Sequence, residues 1–255
     1  MSSSNRMETK RVNRIHVLCS ETDEACLLKP ASFLNYAQEI ASDSADALGF
    51  GQNFLGPLGQ AWILSRMKVD FLDYPSWRDD LDLWSWHRGE DGLFFIRDYK
   101  LVDGQGNTKI RATSSWVILD LKERKIVRSE APCDPKTICQ ETVYDDAADH
   151  KDTVCQKVRA PRGVEFEHVY DHVVRYSDID KNGHTNNVQY TVWAMDCFDV
   201  KFLVENRLKS LEINFNREAM PGETVELHRY RENEATWYVE GLVDGAQSFI
   251  VRFSF

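Results

Sequence analysis

Leu101-Val102-Asp103-Gly104 recurs as Leu242-Val243-Asp244-Gly245, and this repetition decides the fold. Four matching residues can coincide by chance, but their surroundings repeat as well. Pro75-Ser76-Trp77-Arg78-Asp79-Asp80-Leu81-Asp82-Leu83 is answered by Pro221-Gly222-Glu223-Thr224-Val225-Glu226-Leu227. Each is a turn running into an alternating strand. Ahead of these lie two further alternating runs, Trp62 to Phe71 and Leu208 to Phe215. Earlier still, Phe33-Leu34-Asn35-Tyr36-Ala37 aligns with Asn187-Val188-Gln189-Tyr190-Thr191. The offset between halves shrinks from 154 to 146 to 141 residues, as expected of loops that differ in length.

Each half opens on one helix with a helical apolar stripe. The first stripe is Phe33, Ala37, Ile40, Ala41 and Leu48. The second is Val188, Val192, Met195, Phe198 and Phe202. Behind each helix come strands of period two, such as Trp237 to Val243 and Ser248 to Phe255. A helix followed by antiparallel strands predicts an α+β layer in which each sheet wraps one buried helix. Two such units pair their sheets edge to edge, which also removes exposed strand edges. The expected organisation is a first unit over 1–130, a connection over 131–164 and a second unit over 165–255. The connection from Ala131 to Val164 is polar and rich in Pro and Asp, with a partly helical stretch expected around Val143 to Lys157.

Composition narrows the function classes. The chain has 255 residues, 42% of them hydrophobic and 11% aromatic, enough for a sizeable core. Its formal charge of −10 makes it a poor general binder of nucleic acid or of anionic membranes. Cys19, Cys26, Cys133, Cys139, Cys155 and Cys197 show no C-x-x-C spacing, so no zinc site and no cofactor is expected. Reduced thiols and an N-terminus without an apolar core point to a cytoplasmic protein. No apolar run reaches the ~18 residues of a membrane span.

Ser177-Asp178-Ile179-Asp180-Lys181-Asn182-Gly183-His184-Thr185-Asn186-Asn187 carries the chemistry. It sets carboxylates, amides and an imidazole directly before the second helix. Unpaired N–H groups and the positive dipole end suit a developing oxyanion, and carboxylates suit activation of water. The ordinary alternative is a polar turn with a helix cap. The repeat separates the two readings. With the helix offset, Asp180 faces Cys26, Asn182 faces Leu28 and His184 faces Pro30. The polar set then belongs to the second half alone, which predicts one catalytic unit and one that shapes a pocket.

Asp178 through Tyr190 resembles the helix-opening motif of hotdog-fold thioesterases, and more closely that of acyl-acyl-carrier-protein thioesterases, the enzymes that end fatty-acid synthesis. Arg66 through Trp77 resembles that family's first-unit strand and Tyr-Pro-x-Trp turn, and Asn216-Arg217-Glu218-Ala219 resembles its Arg-Glu-Cys strand end. The resemblance spans residues 10 to 255. It implies a tandem double hotdog that hydrolyses fatty acyl thioesters of acyl-carrier protein, with Asp180, Asn182, His184 and Glu218 as the catalytic network. Ala219 stands where the family motif has Cys, so a thiol nucleophile is not available from that position. A water activated by Asp180 or Glu218 is the plain route, and direct attack by Asp180 is the other. Asn182 is expected to orient water or carbonyl, and His184 to bond a carboxylate or protonate the thiolate. N–H groups near Asn186 and Asn187 are expected to polarise the carbonyl. The competing functions are an acyl-coenzyme A hydrolase, a non-catalytic acyl-binding protein and a dehydratase-like relative.

Other residues have bland readings that prevail. Cys197 reads as a buried structural thiol rather than a partner of His184. His168, Asp171 and His172 lack an evident third metal ligand. Two basic clusters are candidates for docking the carrier: Lys122, Arg124, Lys125 and Arg128, and separately Arg207, Lys209, Arg217, Arg229 and Arg231. Either is, by itself, an ordinary solvated edge. A symmetric pairing of two chains is also compatible with this design.

Overall fold

The computed structural model describes residues 9–128 and 135–255. Its helices are α1 (Pro30–Ala47), α2 (Gln52–Leu55), α3 (Asn187–Met195) and α4 (Val200–Glu205). Its strands are β1 (Lys10–His16), β2 (Gln60–Phe71), β3 (Asp80–Asp91), β4 (Phe94–Val102), β5 (Thr108–Asp120), β6 (Lys125–Val127), β7 (Glu167–Val173), β8 (Ser210–Phe215), β9 (Thr224–Arg231), β10 (Thr236–Val243) and β11 (Ala246–Ser254). They form one antiparallel sheet in the order β1-β3-β4-β5-β2-β8-β11-β10-β9-β7, with β6 on β5. The halves meet where β2 pairs with β8, Met67 opposite Ile213 and Val69 opposite Leu211.

Helix α1 starts on Pro30, whose missing N–H belongs to the unpaired first turn anyway. Its predicted stripe is buried throughout, and Gly49 takes the left-handed conformation just beyond its end. Phe33, Ala37 and Ile40 share one core with Val69, Leu83 and Leu101 and, across the β2–β8 seam, with Trp193, Leu211 and Phe253. Burial on this scale, at ~25 cal/mol per Å² of apolar surface, is the main force holding the halves together.

The second helix departs from expectation. The stripe predicted through Phe202 is broken at Asp196–Asp199, between α3 and α4. Two aspartates of low helix propensity flank the break. Arg229 Nη1 donates to the Cys197 carbonyl at 2.7 Å, satisfying a group that a continuous helix would have used. Tyr190 and Trp193 lie off the predicted stripe and are buried all the same.

The hydrogen bonds also correct the internal alignment. Asp23 N–H donates to Leu27 O as Asp180 N–H does to His184 O; Cys26 N–H donates to Asp23 O as Gly183 N–H does to Asp180 O. The bridge Thr22–Leu28 matches Ile179–Thr185. These pairs lie 157 residues apart, not 154. Asp180 therefore corresponds to Asp23, Gly183 to Cys26 and His184 to Leu27. Cys26 and Gly183 both have positive φ, 61° and 76°. The turn after β2 shifts as well. Ser76 N–H donates to the Asp79 side chain as Met220 N–H does to Glu223, an offset of 144. Glu218 thus corresponds to Tyr74. The repeated Leu-Val-Asp-Gly closes differently in each half. Asp244 and Gly245 both have positive φ in a two-residue hairpin turn, whereas Asp103 Oδ1 accepts from Gln105 and Asn107 in a longer loop.

The connecting segment crosses the outer face of the sheet as a strap; Ala131–Asp134 lie outside the described residues. Trp86 Nε1 donates to Glu141 O, Asp98 accepts from Val143 N–H, Arg66 donates to Cys155 O, and Asn214 accepts from Val158 N–H. The helical stretch expected at Val143 to Lys157 is only a single 3-10 turn, His150–Thr153. Backbone groups there bond to the sheet's side chains, which holds the segment extended.

Candidate active site

The loop Tyr176–Asn186 is built by its own side chains. Asp178 Oδ2 accepts from Arg175 N–H at 2.7 Å and from His172 Nε2 at 2.9 Å. Asp180 Oδ1 accepts from Asn182 N–H at 2.8 Å, and its Oδ2 from Asn182 Nδ2 at 3.3 Å. Gly183 supplies the positive φ that reverses the chain. Asn186 caps α3 by accepting from Val188 N–H at 2.9 Å.

Glu218 arrives on the segment after β8. His184 Nδ1 lies 2.8 Å from Glu218 Oε1, within ion-pair distance. At this distance the carboxylate pairs with the imidazole whenever the ring is protonated. The His184 and Glu218 side chains are 46% and 25% exposed, so water can reach the pair. The expected set is therefore joined in two pairs, Asp180 hydrogen-bonded to Asn182 and His184 in ion-pair contact with Glu218, on one loop and the segment that follows β8.

A small buried network holds Glu218 in place. Tyr190 hydroxyl accepts from Ala219 N–H at 2.9 Å, Thr185 Oγ1 donates to Ala219 O at 2.6 Å, and Ser248 Oγ donates to Arg217 O at 2.6 Å. The sequence places Tyr190 in the helix alignment and at the end of the helix-opening motif, without a role of its own. The polar tip of a tyrosine that is otherwise core-facing gives no signal in hydrophobic periodicity. Ala219 is fully buried under this network.

The corrected equivalence changes the contrast between halves. Asp23 makes the same turn as Asp180, its Oδ1 accepting from Ala25 and Leu27 N–H. The aspartate is therefore in part a turn-former in both halves. Leu27 and Tyr74 stand where the second half has His184 and Glu218, so this dyad is the real asymmetry. Arg207 closes the first-half loop, pairing with Asp23 and lying over the Tyr74 ring.

The expected donors at the start of α3 are half available. Asn186 N–H donates to Asp178 O, while Asn187 N–H has no acceptor among the described residues. Asn187 also lines a narrow apolar cleft with Leu34, Ala37, Leu64, Met67, Val188 and Ile213, with Tyr99 and Trp116 on its β4–β5 side. The cavity is about 20 Å³, room for about one water. His184 and Glu218 stand outside its lining. Lys181 Nζ donates to Gln52 Oε1 at 3.1 Å, so this loop also touches the first half.

The rival residues take structural places. Cys197 is buried and bonds Trp193 O, and burial pushes its thiol up to about 12. His168 bonds Asp171 and His172 bonds Asp178, and no cluster among the described residues could hold a metal. Arg207, Arg217 and Arg229 are paired with Asp23, Glu223 and Glu167. Lys122, Arg124, Lys125 and Arg128 are exposed and carry no ion pair among the described residues. No helix among the described residues is long and apolar enough to cross a membrane.

Two family models match in the order the two halves predict, the acyl-ACP thioesterase N-terminal domain over residues 8–132 and its C-terminal domain over 163–248. The chain belongs to the acyl-ACP thioesterase family. It is 23% identical over 201 residues to the oleoyl-acyl carrier protein thioesterase of Coriandrum sativum, covering 75% of this chain and 54% of that protein. It is 26% identical to the palmitoyl-acyl carrier protein thioesterase of Arabidopsis thaliana, covering 72% and 46%. The chain thus spans about half the length of these curated relatives. Among solved structures, an acyl-ACP thioesterase from Bacteroides thetaiotaomicron superposes with a TM-score of 0.80 at 21% identity, covering 100% of both chains. The 12:0-ACP thioesterase of Umbellularia californica gives 0.84 at 17% identity, covering 97% of each. These likenesses establish the hotdog-like fold of acyl-ACP thioesterases, with its large antiparallel sheet and few helices.

Proposed function

We propose that this chain hydrolyses fatty acyl thioesters of acyl-carrier protein to free fatty acid and carrier thiol, ending chain elongation. The observation that carries the reading is the His184–Glu218 pair at the loop that leads into α3, whose first residue Asn187 lines the apolar cleft. The acyl chain enters the cleft as side chains such as Met67 move aside, since methionine adapts readily. The thioester carbonyl then lies at the helix N-terminus, its oxygen toward Asn187 N–H. A water is activated by a carboxylate, Glu218 acting with His184, while Asn182 and Asp180 orient it. Attack gives a tetrahedral oxyanion. Its collapse breaks the C–S bond, and the proton taken from water passes from His184 to the departing thiolate.

The same reading takes the chain as a tandem double hotdog, with 1–130 shaping the acyl pocket, 131–164 connecting and 165–255 catalytic. It takes acyl-carrier protein as partner, the cytoplasm as site of action and a symmetric pair of chains as the assembly. An acyl-coenzyme A hydrolase of the same fold is the second reading. Rates on one acyl chain presented on carrier protein and on coenzyme A separate the two. A carrier preference in kcat/KM supports the first, and absence of turnover on either substrate removes both.

A further inference from the structure

The β4–β5 side of the apolar cleft has a chemistry that plain hydrocarbon does not need. Its wall is Tyr99 and Trp116, and both bond Ser114 Oγ, at 3.1 and 2.7 Å. Directly opposite Ser114 on the neighbouring strand is Arg97, and opposite Arg97 is His87. On the other side Ser114 faces Met67, which faces Ile213. One row across the helix-facing side of the sheet therefore runs from cleft lining, through Ser114, to a guanidinium. At ~4.8 Å per strand, Arg97 lies about 10 Å beyond Met67.

Arg97 is 5% exposed. Its Nη1 donates to Ser85 Oγ at 3.1 Å, and it has no ion-pair partner among the described residues. The neighbouring carboxylate, Asp98, cannot serve. Strand alternation puts it on the opposite face, where it bonds Arg88 and Val143 N–H. His87 donates through Nδ1 to Ile96 O; burial and then the charge of Arg97 push it down to about 4, so it is neutral at pH 7. A buried cation without an anion is costly unless something with acceptor oxygens meets it.

We propose that Arg97 is a specificity residue at the distal end of the acyl site, receiving an acyl chain whose far end carries a hydrogen-bond-accepting oxygen. The proposal rests on the acyl-thioester reading above. Its ligand class is an oxygenated fatty acyl group, hydroxylated or carboxylated at the chain end, rather than a saturated chain ending in methyl. Tyr99, Trp116 and Ser114 form the polar collar through which that end passes. Arg97 acts on binding, remote from the bond that breaks.

The test compares carrier thioesters of one chain length: the straight saturated acyl group, its ω-hydroxy form and its ω-carboxy form. The native enzyme is expected to favour an oxygenated form by about tenfold or more in kcat/KM, mostly through KM, as befits a hydrogen bond to a charged group. Arg97→Met should remove that preference while retaining turnover of the saturated chain, and Arg97→Lys should retain part of it. A native enzyme that prefers the methyl-ended chain, or shows no discrimination, overturns the proposal whatever the variants do. Failure to hydrolyse any of the three would instead reject the thioesterase reading, so the two failures are distinguishable.

Discussion

His184 Nδ1 lies 2.8 Å from Glu218 Oε1, although the two residues reach that point from different segments, one from the loop before α3 and one from the segment after β8. The contact stabilises the charge the imidazole gains when it accepts a proton. Glu218→Gln and His184→Ala are each expected to lower kcat on an acyl-carrier thioester by about 10²–10⁴-fold. Both positions are partly exposed, so thermal midpoints should move little. Near-native turnover in both variants would dismiss the dyad.

Asp180 combines a turn with a candidate chemical role, and one substitution separates them. Asp180→Asn keeps the oxygen that accepts from Asn182 N–H, as asparagine is equally at home in such turns. The fold should survive and activity should fall at least about tenfold if a carboxylate charge is required. Unchanged activity would assign Asp180 to the turn alone, the role Asp23 has in the first half.

The Tyr190 hydroxyl is the pin beneath Glu218. Removing it in Tyr190→Phe leaves Ala219 N–H buried without an acceptor, at a cost of about 1–3 kcal/mol in stability. Glu218 loses its fixed position, so kcat should fall while KM stays near native. A purely structural role would lower the melting midpoint and leave kcat at native level in folded enzyme.

Thiol reagents should separate the exposed cysteines from the function. Cys19 and Cys26 are exposed, whereas Cys155 and Cys197 are buried with thiols raised to about 12. Iodoacetamide at pH 8 should label the first two, spare the second two in native protein and leave hydrolysis essentially intact. Mass mapping after labelling checks this. Inactivation that tracks modification of Cys197 would contradict the water route.

Acid should weaken the first half through His87. Its folded value is depressed from 6.5 to about 4, chiefly by burial. The unfolded chain therefore binds the proton more readily. The contribution is complete above pH 6.5 and is lost progressively as pH falls toward 4. That window corresponds to about 3 kcal/mol. Urea midpoints of native protein and of His87→Gln between pH 7 and pH 4.5 measure it, and parallel curves would rule out His87 as the source.

The two-part plan is legible in the chain alone, because hydrophobic periodicity and turn residues are local signals that survive without neighbours. The stripe of α1 and the alternating strands followed directly from it. Local signals singled out the polar loop that holds His184, whereas Glu218 entered only through the resemblance of Asn216–Ala219 to the family's strand end. Register between the halves was not local. Gaps in loops let the repeat slide by three residues at the helix, and only backbone hydrogen bonds fixed Asp23 opposite Asp180 and Leu27 opposite His184. The break between α3 and α4 depends on Arg229, a residue on β9 that meets the Cys197 carbonyl only after folding. Burial of Arg97, the pinning of Glu218 by Tyr190 and the strap across the sheet were likewise decided by tertiary structure. Each joins groups distant in sequence, and their energies depend on the solvent that packing excludes.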